Sequence, residues 1–316
     1  MSNDKTVCGI LNVIKPLEWS SQDVVRYFKR NCLIKGERIG HIGTLDPFAD
    51  GVLLLAFGAA TKLNDYLHDY YDKTYLARGL LGIQTDSADL TGKVIQEDRS
   101  AFLEEVIGQF SQDFIHQQLI DDFSGEYWQV PPYFSAVKYQ GRKLHQWARE
   151  GVFIKKAPVL RIVSDLKITE FQFPYMSLQA KVSSGTYIRT LFEDCVQKLG
   201  TLGHLTELRR LAIGPFTFDQ GLLQENWPVN REEFLQLHLR SLEDSFPMPI
   251  LSLAAEETQS LSVGRTIHYQ RPIKNSPYYW CCTHENKNLG LAQIEQKKLR
   301  MVINLHSYSI DCFNSK

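Results

Sequence analysis

One short run, Gly40-His41-Ile42-Gly43-Thr44-Leu45-Asp46-Pro47-Phe48-Ala49-Asp50-Gly51, gathers residue types that could do chemistry. Its glycines permit tight backbone and the close approach of a partner. Pro47 biases Asp46 away from helical backbone. The Asp46 carboxylate is therefore expected on an extended, stiffened loop rather than on a fraying helix end. A carboxylate held in this way can attack as a nucleophile or move a proton. An Asp-Pro pair by itself is common in ordinary turns, so the neighbouring residues have to decide. His41 precedes Asp46 in the same run, and no second histidine has the spacing of a metal site. The six cysteines form neither a C-x-x-C pair nor a zinc spacing, which suits a reduced protein.

A second kind of chemistry is electrostatic. The net charge is -1, so the molecule has no overall basic field, and any nucleic acid must be held by local patches. From Lys138 to Arg161 there are seven cations and one acid, Glu150, a local balance of +6. Tyr139, Trp147 and Phe153 interleave with those cations. Such a mixture suits an RNA backbone together with unstacked bases. From Gln224 to Glu257 the sign reverses to -5.

The elements that position these groups follow from periodicity. Gly9 to Ile14 reads as a strand. Ser20 or Ser21 caps an amphipathic helix through Asn31, with Val24, Val25 and Phe28 on one face. Arg38 to Gly51 reads as a loop, Val52 to Phe57 as a buried strand, and a helix runs on through Leu63 and Leu67. Lys73 to Ile83 is a strand. Phe102 to Phe110 and Leu144 to Arg149 are helical, Leu160 to Phe173 and Leu178 to Ser183 are strands, and Ile188 to Leu199 has helical spacing. Strands and helices mix without regular βαβ spacing, so the fold class is α+β rather than doubly wound. Pro247 and Pro249 mark a boundary, placing one domain at 1–246 and a small strand-rich one at 247–316. A length of 316 residues and a hydrophobic content of 43% suit such a two-domain globular chain. The start lacks a secretory pattern, and the longest apolar run is far too short to span a membrane, so the expected location is the cytoplasm.

The Asp46 run resembles the signature of TruB-type pseudouridine synthases. Further segments follow in the family's order: Lys73-x-Tyr75, then Pro131-Pro132-x-Phe134-Ser135-Ala136-x-Lys138, then Ser183-x-Gly185-Thr186-Tyr187-Ile188-Arg189, then Leu208-Arg209-Arg210. The match is strong from Gly9 to Phe216 and weak in the tail. Val182 and Cys195-Val196 depart from the usual pattern at positions that look structural. The resemblance implies a mixed, mainly antiparallel sheet with flanking helices and a small β-rich PUA-like domain that binds RNA.

It also implies a reaction. Uracil is detached from its ribose and rejoined through carbon, here at uridine 55 in the T-loop of tRNA. No electrons are gained or lost, so no cofactor is expected. By this resemblance Asp46 is the catalytic carboxylate, and attack on the sugar and removal of a sugar proton both stay open. Arg189 favours its charged form and orients it. Tyr75 stacks on the target base and helps remove the C5 proton. Tyr187 and Leu208 wall the pocket, and Gly43 belongs to the binding loop. Lys73 reads equally as a pocket charge or a solvated strand start. His41 aids base flipping, a step that costs a few kcal/mol. Lys138, Arg142 and Lys143 sit in the family's RNA-clamping insertion, 131–151. The chain then acts alone on tRNA, as a monomer with no obligatory protein partner and no membrane. The competing reading is an RNA chaperone that binds without chemistry.

Overall fold

A computed structural model describes residues 7–283 and 287–305. Its main sheet is built from β1 (Gly9–Lys15), β2 (Ile39–Ile42), β3 (Asp50–Phe57), β4 (Lys73–Leu81), β5 (Gly125–Gln129), β6 (Val159–Gln172), β7 (Tyr175–Val182), β8 (Gly203–Ile213) and β9 (Phe216–Thr217). The strand order is β1-β3-β8-β4-β7-β6-β5, with β2 on β3 and β9 on β8. Only the short β3–β8 contact is parallel; the other pairs are antiparallel. The fold is thus α+β, with a mixed, mainly antiparallel sheet.

Helix α1 (Ser21–Asn31) starts where Ser20 and Asp23 cap one another: the Asp23 amide donates to Ser20 Oγ, and the Ser20 amide donates to Asp23 Oδ2. Its Val24, Val25 and Phe28 pack on Leu53, Leu55 and Phe57 of β3. The alternate residues of β3, Val52, Leu54 and Ala56, face Leu63 and Leu67 at and within α2 (Asn64–Tyr70). Being covered on both faces explains why β3 is apolar throughout rather than alternating. Helices α3 (Gln112–Phe123) and α4 (Ile188–Lys198) cover one face of the other half of the sheet, through Ile115 and Leu119 and through Leu191, Phe192 and Cys195. Each fully buried Leu or Phe contributes about 1.5–3 kcal/mol, so this packing holds α4, and with it Arg189, in a fixed place.

A five-stranded sheet follows: β10 (Ile250–Leu253), β11 (Ile267–His268), β12 (Tyr279–Thr283), β13 (Asn288–Glu295) and β14 (Lys298–Asn304), in the order β10-β12-β13-β14-β11. Trp280, Leu291 and Ile303 join the same core as Ile10 and Leu54 of the first sheet and Leu67 of α2.

Several elements differ from the sequence reading. Ile39–Ile42 is a strand and not part of a loop, because it pairs with β3 from Ile39↔Phe57 to Ile42↔Leu54. Strand β8 is absent from the reading because Arg210 occupies a core-facing position and masks the alternation. Helix α3, β5 and the β10 strand are likewise additions. Four thiols, those of Cys8, Cys32, Cys195 and Cys281, are free, but Cys282 is disulfide-bonded, which corrects the fully reduced reading there. Cys312 lies outside the described residues. Among the described residues no helix is long and apolar enough to cross a membrane.

Candidate active site

Asp46 lies in the turn between β2 and β3, and the residues around it are pinned one by one. The Leu45 amide donates to Ser21 Oγ at 2.9 Å, and that hydroxyl donates back to the Leu45 carbonyl at 3.2 Å. The Glu18 amide donates to the Pro47 carbonyl at 2.8 Å. Lys15 is fully buried, and its ammonium donates to the carbonyls of Pro16, Trp19 and Pro47. Burial pushes the Lys15 pKa down to about 8. From β8, Arg210 is 1% exposed and donates to the carbonyls of Val52 (2.7 Å), Gly43 (2.9 Å) and Thr44 (3.4 Å). Strand β8 comes this near because residue 51 is glycine: a Cβ there would stand 2.3 Å from the Arg210 carbonyl oxygen.

With its flanks fixed, the Asp46 side chain is still 39% exposed. Its Oδ2 meets Arg189 Nε at 3.0 Å. That guanidinium is 5% exposed and fully engaged: Nη1 donates to the Ser87 carbonyl (2.7 Å) and lies 3.3 Å from Asp89 Oδ2, while Nη2 donates to the Phe134 carbonyl (2.9 Å). Asp89 is itself buried, and its Oδ1 accepts from Ser87 Oγ, Thr91 Oγ1 and the Thr91 amide. A buried cation shared by two carboxylates and two carbonyls is a rigid donor, and a planar guanidinium suits this fork better than an ammonium does. The start of α4 is held by buried Gln129, which accepts from the Tyr187 amide (2.8 Å) and donates to its carbonyl (3.0 Å).

Asp46 and Arg189 open onto a cavity of about 400 Å³, within the usual range for ligand sites. Tyr75, Tyr187 and Leu208 form its aromatic and aliphatic wall, and Gly43, Lys73 and Lys143 also line it. Burial pushes the Tyr187 phenol up, so it stays protonated at neutral pH. Lys73 is no solvated strand start: it is buried, and its ammonium donates to the carbonyls of His68 and Tyr71. Burial first, then Arg210, lowers its pKa to about 8. Among the described residues no three His, Cys, Asp or Glu side chains come together as a metal site.

Three expected site residues stand outside this lining. His41 shares a 3.1 Å hydrogen bond with Thr44 Oγ1 at the rim, and burial, Arg210 and Lys143 hold its imidazole neutral. Lys138 is exposed on a small hairpin, Lys138–Tyr139 with Arg142–Lys143. Arg142 pairs with Glu150 at 2.5 Å and stacks over Trp147 at 4.3 Å. Lys155, Lys156 and Arg161 line a separate hollow of about 350 Å³ with Tyr139. The +6 stretch thus spreads over two hollows that one hairpin links, Lys156 lying 5.5 Å from the ring of Tyr139, which pairs with Arg142.

A larger hollow, about 750 Å³, lies on the opposite face of the sheet, where Leu76 and Arg78 point. Its cations are already answered by acids, Arg209 by Asp50 and Arg78 by Glu207. The part-exposed carboxylate paired with a buried guanidinium is in the smaller cavity. Asp89, Arg210, Gln129 and Lys15 escaped the sequence reading. Asp89 reads as a turn residue, and Arg210 shows only as the last position of Leu208-Arg209-Arg210.

Residues 29–188 match the family described as TruB family pseudouridylate synthase (N terminal domain). The protein named tRNA pseudouridine synthase B from Histophilus somni (strain 2336) is 33% identical over 309 residues, covering 95% of this chain and 96% of that protein. Its namesake in Haemophilus influenzae (strain PittEE) is 31% identical over 305 residues, covering 94% of each. Among solved structures, a Cbf5-Nop10-Gar1 complex has a chain with TM-score 0.62 and 22% identity, covering 90% of this chain and 78% of that one. An H/ACA RNP bound to a substrate RNA containing 2'-deoxyuridine gives 0.62 and 22%, covering 94% and 83%. These two structural likenesses speak to fold alone.

Proposed function

Since this chain belongs to the TruB family of pseudouridylate synthases, we propose that it isomerises uridine 55 in the T-loop of tRNA, with Asp46 as the catalytic carboxylate. The bond from ribose C1′ to N1 of uracil breaks, a bond from C1′ to C5 forms, the C5 proton leaves, and N1 ends protonated. Atoms and electrons balance without a co-reactant. The observation that carries this reading is the Asp46 carboxylate, part-exposed at the wall of a base-sized cavity and fixed 3.0 Å from a buried guanidinium. A carboxylate so placed can attack C1′ or take a sugar proton, and both roles need it ionised and held.

Tyr75 stacks on the extruded base, and its hydroxyl assists loss of the C5 proton. Tyr187 and Leu208 keep water from the detached base. Lys73 and Gly43 shape the floor, and His41 at the rim occupies the space the base vacates. Lys138, Arg142 and Lys143, within the 131–151 insertion of a catalytic domain spanning 1–246, grip the RNA. The 247–316 domain acts as a PUA-like RNA-binding module. The protein works in the cytoplasm as a monomer, without an obligatory protein partner.

The relatives' printed name supports tRNA as substrate. The test is incubation of the purified chain with unmodified tRNA and no additives, followed by primer extension to map carbodiimide-resistant adducts. A new stop at position 55 is expected. Tight binding without any stop would favour the chaperone reading instead, and a stop elsewhere would move the target.

A further inference from the structure

His68 sits in α2 and lines the cavity, yet no step above uses it. Its Nδ1 is sealed from solvent and has no hydrogen-bond partner. What lies against it is the loop at Gly43: a Cβ built there would stand 3.5 Å from His68 Nδ1 and 3.5 Å from Arg210 Nη1. The backbone around the ring is locked, because Lys73 Nζ donates to the His68 carbonyl and, at 2.7 Å, to that of Tyr71. The imidazole is thus a preorganised group whose buried nitrogen is spoken for by nothing.

Two arguments fix its state. Burial, with Lys73 and Arg210 nearby, lowers its pKa and keeps the ring neutral near pH 7, against the opposing pull of Asp69 and Asp65. A buried N–H without an acceptor is rarer and costlier than an unused lone pair. The guanidinium of Arg210 also favours a lone pair on its side. The proton therefore belongs on Nε2, the nitrogen free to serve the cavity, and His68 presents a neutral donor there.

Resting on the proposed uridine chemistry, we infer that His68 Nε2–H donates to the carbonyl oxygens of the target uracil and positions the base through its turn. A half-turn of uracil about the line through N3 and C6 exchanges N1 with C5, as the reaction requires, and exchanges O2 with O4 at the same time. One fixed donor that meets O2 in the substrate meets O4 after the turn. Cytosine carries an amino group at C4 and would set donor against donor once turned. His68 is thus a positioning and specificity residue, whereas Asp46 acts on the sugar.

The experiment uses the full chain with T-loop stem–loops carrying uridine, 2-thiouridine or 4-thiouridine at the target, since sulfur accepts hydrogen bonds poorly. On uridine, His68→Leu is expected to lower kcat by about 10- to 100-fold, the loss of one neutral-donor contact, while RNA affinity holds. His68→Gln, which can place an N–H near the Nε2 position, should recover most of that loss. Both thio substitutions should slow the wild type and cost His68→Leu little more. His68→Gln should keep thio penalties close to those of wild type; equal thio penalties in wild type and His68→Leu overturn the inference, as does wild-type kcat in His68→Leu. Should His68→Leu fail to fold by circular dichroism, the His68→Gln arm decides alone: activity and thio penalties near wild type support the donor, and loss of either in a folded variant overturns it. A wild type that makes no pseudouridine from uridine overturns the reaction itself and is told apart from failure of the His68 role.

Discussion

Replacing Arg210 with Met tests whether the Asp46 loop is held from behind. Methionine keeps much of the length and the apolar stem but removes the donors to Val52 and Gly43, at 2.7 and 2.9 Å, and the weaker one to Thr44, at 3.4 Å. Two good hydrogen bonds from a charged donor are worth about 3–6 kcal/mol before offsets. Relief from burying a cation returns part of this, so a net loss of about 2–3 kcal/mol is expected. For a chain of this size that lowers the melting temperature by roughly 3–5 °C. The larger effect is on catalysis. A carboxylate displaced by about 1 Å costs about 10²-fold in rate, and Arg210 holds both ends of the turn that carries Asp46. Because Arg210 is 1% exposed, RNA affinity should change by less than about twofold. Loss of the C5 proton gives the assay: tritium released from 5-tritiated uridine in tRNA under single-turnover conditions, well below both melting temperatures. If kcat stays within about threefold of wild type while the melting temperature falls, Arg210 braces the core and not the catalytic turn.

Asp46→Asn should keep RNA binding and lower turnover by about 10³-fold or more; product formed at wild-type rate would remove Asp46 from the mechanism. Lys143→Ala with Lys155→Ala should weaken binding and reduce the slope of log affinity against log salt by about 2, one for each lost phosphate contact; an unchanged slope in filter binding would sink that assignment. Glu193, one turn beyond Arg189 on α4, has its carboxyl pushed up from 4.5 to about 7, chiefly by burial. The folded state then holds a proton that the unfolded state releases between those values, so this group's contribution to stability falls as pH rises through the window and is flat above it. Glu193→Gln should therefore gain about 1–3 kcal/mol over wild type at pH 8 and little at pH 4.5 in denaturant titrations; an equal gain at both would refute the burial account.

Much of the frame could be read from residue order. The apolar run Val52 to Phe57 and the capped helix after Ser20 follow from local periodicity and capping chemistry, which depend only on near neighbours. The Asp46 turn stood out by composition. What could not be read depends on residues far apart in the chain. Strand β8 hides because Arg210 takes a core position, which is sensible only once the carbonyls of Gly43, Thr44 and Val52 come to surround it. Asp89 looks like any turn acid until Arg189 arrives from across the fold. The basic stretch from Lys138 to Arg161 reads as a run of charge, and only folding turns Lys143 into the cavity, ties Arg142 to Glu150, and sets Lys155 and Lys156 in a second hollow beside Tyr139 of the same hairpin.

The second sheet shares its core with the first: Trp280 is fully buried, donates Nε1–H to the Phe246 carbonyl at 2.8 Å, and belongs to the same apolar cluster as Ile10, Leu54 and Leu67. Cutting the chain after residue 246 would therefore strip one wall from the other sheet and leave leucine and isoleucine side chains facing water. A shortened protein would report on its own collapse. A role for the last strands in RNA binding is better tested by neutralising their surface lysines one at a time, in a molecule left whole.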